Sequence, residues 1–309
     1  MLAVVGATAS GKTALGVDIA EYYGGEVISG DSMQIYKGLD IATAKPTAEE
    51  MRNVPHHLIS VLPSDHACSV AEYVEMARAK IAEVQSRGKL PVIVGGTGLY
   101  IDSLLDNIQF PDIPADDAVR ERLNREAETL GRGVLLERLR ECDPESAAKL
   151  HENNLRRIVR ALEVYELTGT PLSEFARQSR AVPPPWNAVR IGICFADREL
   201  QYQRIRQRVD MMLEMGLLDE VRAEYESGTR RATAAMAIGY KELIPYLEGN
   251  AALEDCISSI KQETCRYAKR QGTWFRRNEQ ICWVHRDGMS KSAEIFSKLQ
   301  NDLFLNQIL

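Results

Sequence analysis

The sequence lacks the features that mark membrane proteins, secreted proteins and globally basic nucleic-acid-binding proteins. No apolar run in its 309 residues approaches the ~20 residues that would cross a bilayer. The chain starts directly with an apolar segment, so we expect no signal peptide. Its net charge is −6, so an attraction to nucleic acid has to come from local basic patches. We therefore expect a cytoplasmic protein with no membrane partner.

The cysteines form no pattern that is typical of metal sites or disulfide frameworks. None belongs to a C-x-x-C pair or a zinc-like cluster, and we expect reduced thiols at all six positions: Cys68, Cys142, Cys194, Cys256, Cys265 and Cys282. Internal repeats and low-complexity tracts are also absent. With 45% hydrophobic and 27% charged residues, the composition is that of an ordinary globular protein. The length suits one large α/β domain with an insertion, or two domains.

The most informative segment is a glycine-rich stretch that follows a short apolar run at Leu2–Val5. It has the spacing of a phosphate-binding loop, formed by Gly6, Ala7, Thr8, Ala9, Ser10, Gly11, Lys12 and Thr13. The glycines let successive backbone N–H groups point at phosphate oxygens, and the helix that follows directs its positive end at the same anion. Lys12 adds a full charge, and the Thr13 hydroxyl is available to Mg²⁺. The sequence therefore predicts a pyrophosphate- or triphosphate-binding site.

Two further segments place polar groups at the carboxyl ends of predicted strands. Val27 and Ile28 indicate a short strand followed by Asp31, at the edge where open parallel sheets bind ligands. The alternative for Asp31 is a turn residue that caps the next segment. Leu90–Val94 predicts a buried strand, followed by a second glycine-rich turn that contains Thr97. No aspartate ends this strand, so the acid that organises magnesium in P-loop ATPases is missing from that position.

The order of the predicted elements indicates a helical domain inserted into an α/β core. The composition changes at Phe110–Pro114, and the pattern is charged and helical from Asp116 to Arg180. Pro183–Pro185 then forms a stiff linker before another strand. We predict a P-loop NTPase-like parallel sheet with an inserted all-helical domain. Its predicted segments are a first core part, residues 1–112, an inserted domain, residues 113–187, and a returning core part, residues 188–309.

Shorter patterns predict an edge strand and a helix start. Leu58–Leu62 is apolar and predicts an edge strand, with two histidines directly before it. Adjacent histidines in a strand point in opposite directions, so we assign them no metal-binding role. Ser69 and Glu72 have the spacing of a capping box.

Three charged helices carry basic residues in an otherwise acidic protein. A helix that starts near Asn153 places three arginines on its polar sides, and a helix over residues 198–215 places Arg204 and Arg208 on one face. A final helix over about residues 252–277 mixes cations with aromatic residues, a pattern that suits a nucleic-acid backbone or single-stranded bases. The alternatives are a solvated charged face for the cations and core packing for the aromatic residues.

Several of these segments together resemble the tRNA dimethylallyltransferase family, also called tRNA isopentenyltransferases. The resemblance rests on blocks in the family's order along most of the chain: the phosphate loop, Asp31–Pro46, Pro55–Leu58, Val94–Tyr100, Arg156–Tyr165, Ala237–Glu242 and Tyr267–Arg276. The block Asp-Ser-x-x-Ile-Tyr-Lys-Gly is far more specific than the phosphate loop. One departure is Asn153-Asn154, where the family has Asn-Asp. The chain has no C-terminal zinc module of the eukaryotic kind, so it resembles the bacterial type.

The resemblance implies that a dimethylallyl group passes from dimethylallyl diphosphate to N6 of adenosine 37 in tRNAs that read codons beginning with U. A phosphate loop without the ATPase acid suits a diphosphate that leaves rather than one that donates a phosphoryl group. The loop, Lys12, Thr13 and Mg²⁺ would then stabilise the leaving charge. Arg208 would clamp the same group, with Arg204 as the less favoured candidate.

The resemblance also implies the other site residues. Asp31 would be the general base for N6, and Thr97 would hydrogen-bond the amine or the leaving oxygen. Gln34 would read the edge of an adenine turned out of its stack. The implied tRNA contacts are Asp31, Ser32, Met33, Gln34, Thr97, Arg120, Arg156, Arg157, Ile158, Val159, Arg160, Met236, Ala237, Ile238, Gly239, Tyr240 and Lys241. The inserted domain would clamp the anticodon stem-loop, and a monomer is the default expectation.

Two other functions remain open at this point. A small-molecule P-loop kinase would have the same loop, an acid at Asp31 and an arginine-bearing helical lid, and it would bind ATP. An RNA-binding protein with a vestigial loop would bind tRNA without turnover.

Overall fold

A computed structural model of the protein describes residues 1–110, 113, 115–179, 181–228, 233–289 and 291–302. The chain divides into two compact units, which we call the core unit, residues 1–105 with 186–309, and the helical unit, residues 106–185. Asp112, where the predicted first core part ends, and Arg180, where the charged helical pattern ends, lie outside the described residues. The roles assigned to the predicted domains stay predictions.

Helices and strands alternate in the core unit, whereas the described elements of the helical unit are all helices. Residues 1–105 contain β1 (Leu2–Gly6), α1 (Lys12–Tyr23), β2 (Gly25–Ser29), α2 (Ala48–Met51), β3 (His56–His57), α3 (Val70–Ser86), β4 (Leu90–Gly95) and α4 (Gly98–Leu105). The helical unit contains α5 (Asp117–Leu130), α6 (Arg132–Cys142), α7 (Pro144–Ala147), α8 (Leu155–Thr168) and α9 (Leu172–Gln178). The core unit resumes with β5 (Val189–Cys194), α10 (Arg198–Glu214), α11 (Leu217–Glu226), a 3₁₀ turn (Thr233–Met236), α12 (Ile244–Leu247), α13 (Leu253–Phe275), β6 (Ile281–His285) and α14 (Ser292–Asp302).

The six described strands form one sheet in the order β3-β2-β4-β1-β5-β6, and every described pairing is parallel. β1 therefore lies between β4 and β5, which follow it much later in the sequence. Parallel strands place all of their carboxyl ends at one edge, where crossover connections leave room for a ligand. The predicted α/β class with a parallel sheet is confirmed.

The core of the core unit forms where α1 packs on the sheet. Every residue of β1 is buried, as are Leu15 and Ile19 of α1. Strands covered on both faces are expected to be continuously apolar, as Leu2–Val5 is. The apolar core holds the phosphate loop, which joins β1 to α1, at both of its ends.

The helical unit has its own apolar core, formed by α5, α6 and α8. Leu123, Leu139 and Ile158 are fully buried in it. A carboxylate is buried beside this core: Glu163, on α8, has no exposed surface. It is neutralised by two guanidinium groups, from Arg120 (Nε to Oε1, 2.9 Å) and Arg160 (Nη1 to Oε2, 2.8 Å).

The predicted edge strand at Leu58–Leu62 is wrong. The strand instead comprises His56 and His57, which pair with β2. Leu58 and Ser60 have φ angles of 61° and 53°, and such positive values end an extended path.

The predicted capping box forms only in part. The Ser69 hydroxyl accepts from the Glu72 N–H (3.1 Å) as predicted. The Glu72 carboxylate instead bonds to His66 (2.8 Å), and the reciprocal pair of bonds occurs at Thr47 and Glu50.

β6 and α14 were not predicted from the sequence. β6 has only five residues, Ile-Cys-Trp-Val-His, which carry little periodicity, and it follows directly after a long charged helix. Its apolar run after the turn at Asn278 was the available signal.

No helix within the described ranges is both long and apolar enough to cross a bilayer.

We predict that Gly95→Ala destabilises the core unit. A Cβ at Gly95 would lie 2.2–2.6 Å from the backbone O, C and Cα of Gly30. The Gly30 backbone, directly after β2, is held by hydrogen bonds to Val94 (2.8 Å) and Thr97 (3.1 Å) and cannot easily move aside. Overpacking of this kind costs about 2–3 kcal/mol, measurable as a lower midpoint of urea unfolding. The matched control is Gly272→Ala within α13, whose Cβ would meet only the flexible end of Arg276. We expect the control to be neutral or stabilising by about 0.5–1 kcal/mol. Equal midpoints for the two variants would contradict this account.

Candidate active site

The phosphate loop runs from the end of β1 at Gly6 to the start of α1 at Lys12. Gly11, directly before the helix, has a φ of 91°, and Ala9 has a φ of 60°. Gly6 has no room for a side chain, because a Cβ there would lie 2.7 Å from the carbonyl oxygen of Ile193 on β5. The loop therefore curls tightly against the sheet, as a backbone anion cradle requires.

A cavity of about 310 Å³ opens beside this loop. The loop contributes Thr8, Lys12 and Thr13, and Asp31 follows on from β2. The rest of its wall comes from several segments of the core unit and includes Ser32, Met33, Gln34, Thr43, Ala44, Gly95, Arg208, Met212, Met236, Ala237, Ile238, Lys241, Tyr267, Arg270 and Gln271.

Lys12, Asp31 and Arg208 are electrostatically coupled within this cavity. Burial lowers the pKa of Lys12 to about 8; the charge of Asp31 opposes this shift and that of Arg208 adds to it. Burial also lowers the pKa of Arg208, against the charges of Glu50 and Asp31. Lys241 and Arg270 also line the cavity, so four cations face one carboxylate among its described lining residues and the site is net positive. Such a site favours a ligand with several negative charges.

Asp31 combines the two roles that the sequence left as alternatives. Its Oδ1 accepts from the backbone N–H groups of Met33 (2.9 Å) and Gln34 (3.4 Å), as a turn residue would. The carboxyl group also lines the cavity opposite Lys12. The turn bonds fix the orientation of the carboxylate and leave Oδ2 for a ligand.

Thr97 lies close to Asp31, although the two come from different strands. Its hydroxyl accepts from the Ser32 N–H (3.0 Å) and donates to the Ser32 Oγ (3.2 Å). Thr97 also hydrogen-bonds the phenol of Tyr267, whose pKa burial and the charge of Asp31 raise to about 12. Tyr267 therefore remains a neutral hydrogen-bonding group at neutral pH.

The amide of Gln34 is already engaged by its own segment. Its Nε2 donates to the carbonyls of Thr43 (3.3 Å) and Ala44 (3.1 Å), and its Oε1 accepts from Ser29 Oγ (3.1 Å). The side chain therefore orders the Thr43–Ala44 wall of the cavity. Gln34 could hydrogen-bond to the edge of a base only if these bonds were broken.

Three cavity residues on α13 were not assigned a role from the sequence. Tyr267 was expected in the core but lines the cavity, and the Arg270 guanidinium lies 5.7 Å from the centre of its ring. Gln271 is buried and accepts from the Thr8 N–H (2.8 Å) while it donates to the Gly96 carbonyl (2.9 Å). It thereby ties the phosphate loop to the second glycine-rich turn. The available signal was a tyrosine and a glutamine four residues apart, which places them on one helix face.

The predicted tRNA contacts fall into two groups, one in each unit. In the core unit, Met236, Ala237, Ile238 and Lys241 line the cavity, whereas Gly239 and the fully buried Tyr240 lie beside them. In the helical unit, Arg156 and Arg157 are exposed and have no ion-pair partner among the described residues.

The other predicted tRNA contacts of the helical unit are engaged within that unit. Arg120 and Arg160 are held by Glu163. Ile158 and Val159 are 0% and 5% exposed, so their side chains point into the apolar core and away from any surface ligand.

The parallel sheet and the glycine-rich loop between β1 and α1 define a protein with a P-loop-like core, and its cavity is lined by Lys12, Arg208 and Asp31. A family model described as IPP transferase matches residues 34–278. The chain therefore belongs to the IPP transferase family.

Relatives along the whole chain agree with this assignment. The tRNA dimethylallyltransferase of Acetivibrio thermocellus is 46% identical, over 97% of this chain and 96% of that protein. The crystal structure of the tRNA isopentenylpyrophosphate transferase of Bacillus halodurans has a TM-score of 0.69 and 42% identity, and covers 99% of this chain and 98% of its own. A eukaryotic dimethylallyltransferase acting on tRNA has a TM-score of 0.80 and 28% identity, over 99% of this chain and 79% of its own. The predicted family and enzyme class are confirmed.

We predict that diphosphate binding weakens above pH 8 because Lys12 loses its proton. The pKa of Lys12 is about 8 without ligand, and a bound anion raises it, so binding takes up a proton at higher pH. The affinity for diphosphate is therefore highest below pH 8, and Kd should increase by up to about tenfold per pH unit above pH 8. Calorimetric titration of inorganic diphosphate between about pH 7 and 9.5 measures this. Lys12→Arg is the control, because arginine stays charged and the titration of the ligand is the same for both proteins. Identical pH slopes would refute the role of Lys12.

Proposed function

We propose that this chain transfers a dimethylallyl group from dimethylallyl diphosphate to N6 of adenosine 37 in tRNAs that read codons beginning with U. The products are N6-(dimethylallyl)adenosine and diphosphate. The observation that supports this most is one cavity that holds both a cationic phosphate cradle and an oriented carboxylate. The first group suits a leaving diphosphate and the second suits an amine that must lose a proton.

The cradle side would stabilise the leaving group. When the bond between C1 of the allyl group and the diphosphate oxygen breaks, the electron pair stays on that oxygen. Negative charge then grows where Lys12, the loop N–H groups and Arg208 are already oriented. Preorganised donors of this kind supply the largest share of catalysis in many enzymes, because they need no rearrangement during the reaction.

The carboxylate side would activate the nucleophile. The N6 amine of adenine is weakly basic, since its lone pair is shared with the ring, and it has to lose a proton as the bond to C1 forms. Asp31 would accept that proton on Oδ2 while Oδ1 remains held by Met33. Thr97, fixed by Ser32 and Tyr267, would hydrogen-bond the amine or the leaving oxygen.

The adenosine would have to leave its stack to reach Asp31 within the cavity. Enzymes that modify a base pay for this unstacking with contacts to the extruded nucleotide. Met236, Ala237 and Ile238 supply an apolar stretch of the wall, and the Tyr267 ring is available for contact with a base. Lys241, in the same wall, is available to a nucleotide phosphate.

The residues of the cavity fit a Mg²⁺ ion that is held mainly by the diphosphate. No group of three His, Cys, Asp or Glu side chains in the described part of the chain could hold a metal by itself. Mg²⁺ in proteins commonly keeps its waters and binds through one or two protein oxygens and substrate phosphates. Thr13 and Asp31, two oxygen donors of the cavity wall, would hold it. When bound, the ion would neutralise charge on the diphosphate.

We predict that the purified chain adds one dimethylallyl mass to unmodified tRNA and that Asp31→Asn abolishes most of this activity. Asparagine keeps the Oδ1 acceptor of the turn but cannot accept a proton, so kcat should fall by about 10²–10⁴-fold. Mass spectrometry of digested tRNA measures the product. Binding of inorganic diphosphate and of tRNA should change by only a few-fold. Asp65→Asn, at an exposed aspartate, is the control.

The outcomes separate this function from its rivals. An active preparation that transfers phosphate from ATP and leaves tRNA unchanged would establish a kinase. Binding of tRNA with no turnover under any donor would establish an RNA-binding protein. A near-normal kcat in Asp31→Asn would refute the general base while leaving the reaction in place.

We also predict that Arg156 and Arg157 contribute electrostatically to tRNA binding. Each arginine that pairs with a phosphate releases counterions, so the double variant to alanine should reduce the salt dependence of log Kd by about one for each arginine–phosphate pair that it removes. Filter binding of tRNA at several salt concentrations measures the slope. Arg140→Ala, which removes an exposed arginine paired with Glu137, is the matched control. An unchanged slope in the double variant would assign these arginines to a solvated surface.

A further inference from the structure

Side chains outside the cavity hold consecutive carbonyl groups of the phosphate loop. The Thr8 carbonyl accepts from Gln201 Nε2 (3.2 Å), and the next carbonyl, of Ala9, accepts from Arg204 Nε (3.1 Å). Both donors come from α10, one turn apart. Neither Gln201 nor Arg204 lines the cavity.

The third carbonyl in this run, that of Ser10, is held from the turn that follows β6. It accepts from Arg286 Nη1 at 2.8 Å, and the Arg286 side chain is only 6% exposed. The guanidinium lies directly against the next residue: a Cβ at Gly11 would be 1.7 Å from Arg286 Nη1. The positive φ of Gly11 favours glycine, and a side chain there would displace the guanidinium from the loop.

The geometry of the peptide bond converts these carbonyl bonds into N–H orientations. In a trans peptide the carbonyl and the N–H of the following residue point in opposite directions, and no described peptide of the chain is cis. The carbonyls of Thr8 and Ser10 point toward Gln201 and Arg286. The N–H groups of Ala9 and Gly11 therefore point in the opposite direction. The N–H of Ser10 is used within the loop, where it donates to the Ala7 carbonyl (3.3 Å).

The turn that carries Arg286 is itself firmly anchored. The Arg286 N–H donates to the Cys194 carbonyl at the end of β5 (2.9 Å). The Asp287 carboxylate accepts from the N–H groups of Ala196 (2.7 Å) and Asp197 (3.0 Å), directly before α10. One turn thus fixes both Arg286 and the start of the helix that carries the other two donors.

We propose that Gln201, Arg204 and Arg286 are positioning residues that orient the peptide groups of the phosphate loop for diphosphate. This outer clamp acts through the loop backbone and deepens the proposed function, on which it rests. Arg204 thereby has a role that differs from that of Arg208, which lines the cavity itself.

The positive charges of the clamp also favour the binding of an anion at the loop. Burial lowers the pKa of Arg286, and the charge of Arg204 lowers it further, so two guanidinium groups converge on one short loop. The charge of Glu294 opposes this shift in part. A diphosphate bound at the N–H groups of Ala9 and Gly11 would relieve the repulsion between Arg204 and Arg286. The clamp therefore combines backbone orientation with positive charge placed next to the loop.

Binding of inorganic diphosphate to the full chain tests the clamp. Arg286→Met removes the donor and the charge, and we expect Kd to rise by about tenfold, as for the loss of a charge-assisted hydrogen bond. Arg286→Lys should recover part of this loss. Arg204→Gln, at an exposed position, should raise Kd less. This variant tests the clamp if Arg286→Met does not fold. Arg206→Gln removes a charge from the same helix without touching the loop and should leave Kd unchanged.

Amide hydrogen exchange of the ligand-free proteins separates orientation from charge. An orienting clamp predicts faster exchange at residues 9–12 in Arg286→Met, with the sheet amides unchanged, whereas a purely electrostatic role leaves the loop unchanged. In turnover assays, KM for dimethylallyl diphosphate should rise and KM for tRNA should not. Wild-type affinity for diphosphate in Arg286→Met, or unaltered loop exchange, would overturn the clamp alone. A wild-type chain that binds no diphosphate would overturn the proposed function as well.

Discussion

A lysine ammonium group buried beside a carboxylate and a guanidinium is the interaction on which the site depends. Burial makes the charge of Lys12 costly, and Asp31 within the same cavity offsets part of that cost. Asp31 also attracts Arg208, so one carboxylate holds two mutually repelling cations in the same cavity. The positive charge that remains would attract the diphosphate of the proposed reaction.

The elements that could be predicted from the sequence are those whose local pattern matches their tertiary role. β1 and β4 are continuously apolar and end in glycine-rich turns, so both the parallel sheet and the ligand edge were predictable. Asp31 could be predicted as a site residue because it follows a strand. The family could be identified because its most specific block, around Asp31, is polar and local in sequence.

The parts that could not be predicted depend on contacts between distant segments. β6 is too short to carry a periodic signal, and its pairing with β5 spans about ninety residues of sequence. Tyr267 and Gln271 look like residues of an amphipathic helix, and only the packing of α13 against the loop shows that they line a cavity. Leu58–Leu62 has the composition of a strand, but two left-handed residues prevent an extended conformation.

The buried Gln271 on α13 links the two glycine-rich turns. Its amide accepts on one side and donates on the other, and neither a carboxylate nor a shorter amide could do both across the same gap. Gln271 therefore holds the phosphate loop and the second glycine-rich turn at a fixed separation. Because Thr8, Gly95 and Gln271 all line the cavity, the length of this one side chain also fixes the width of the cavity between the two turns.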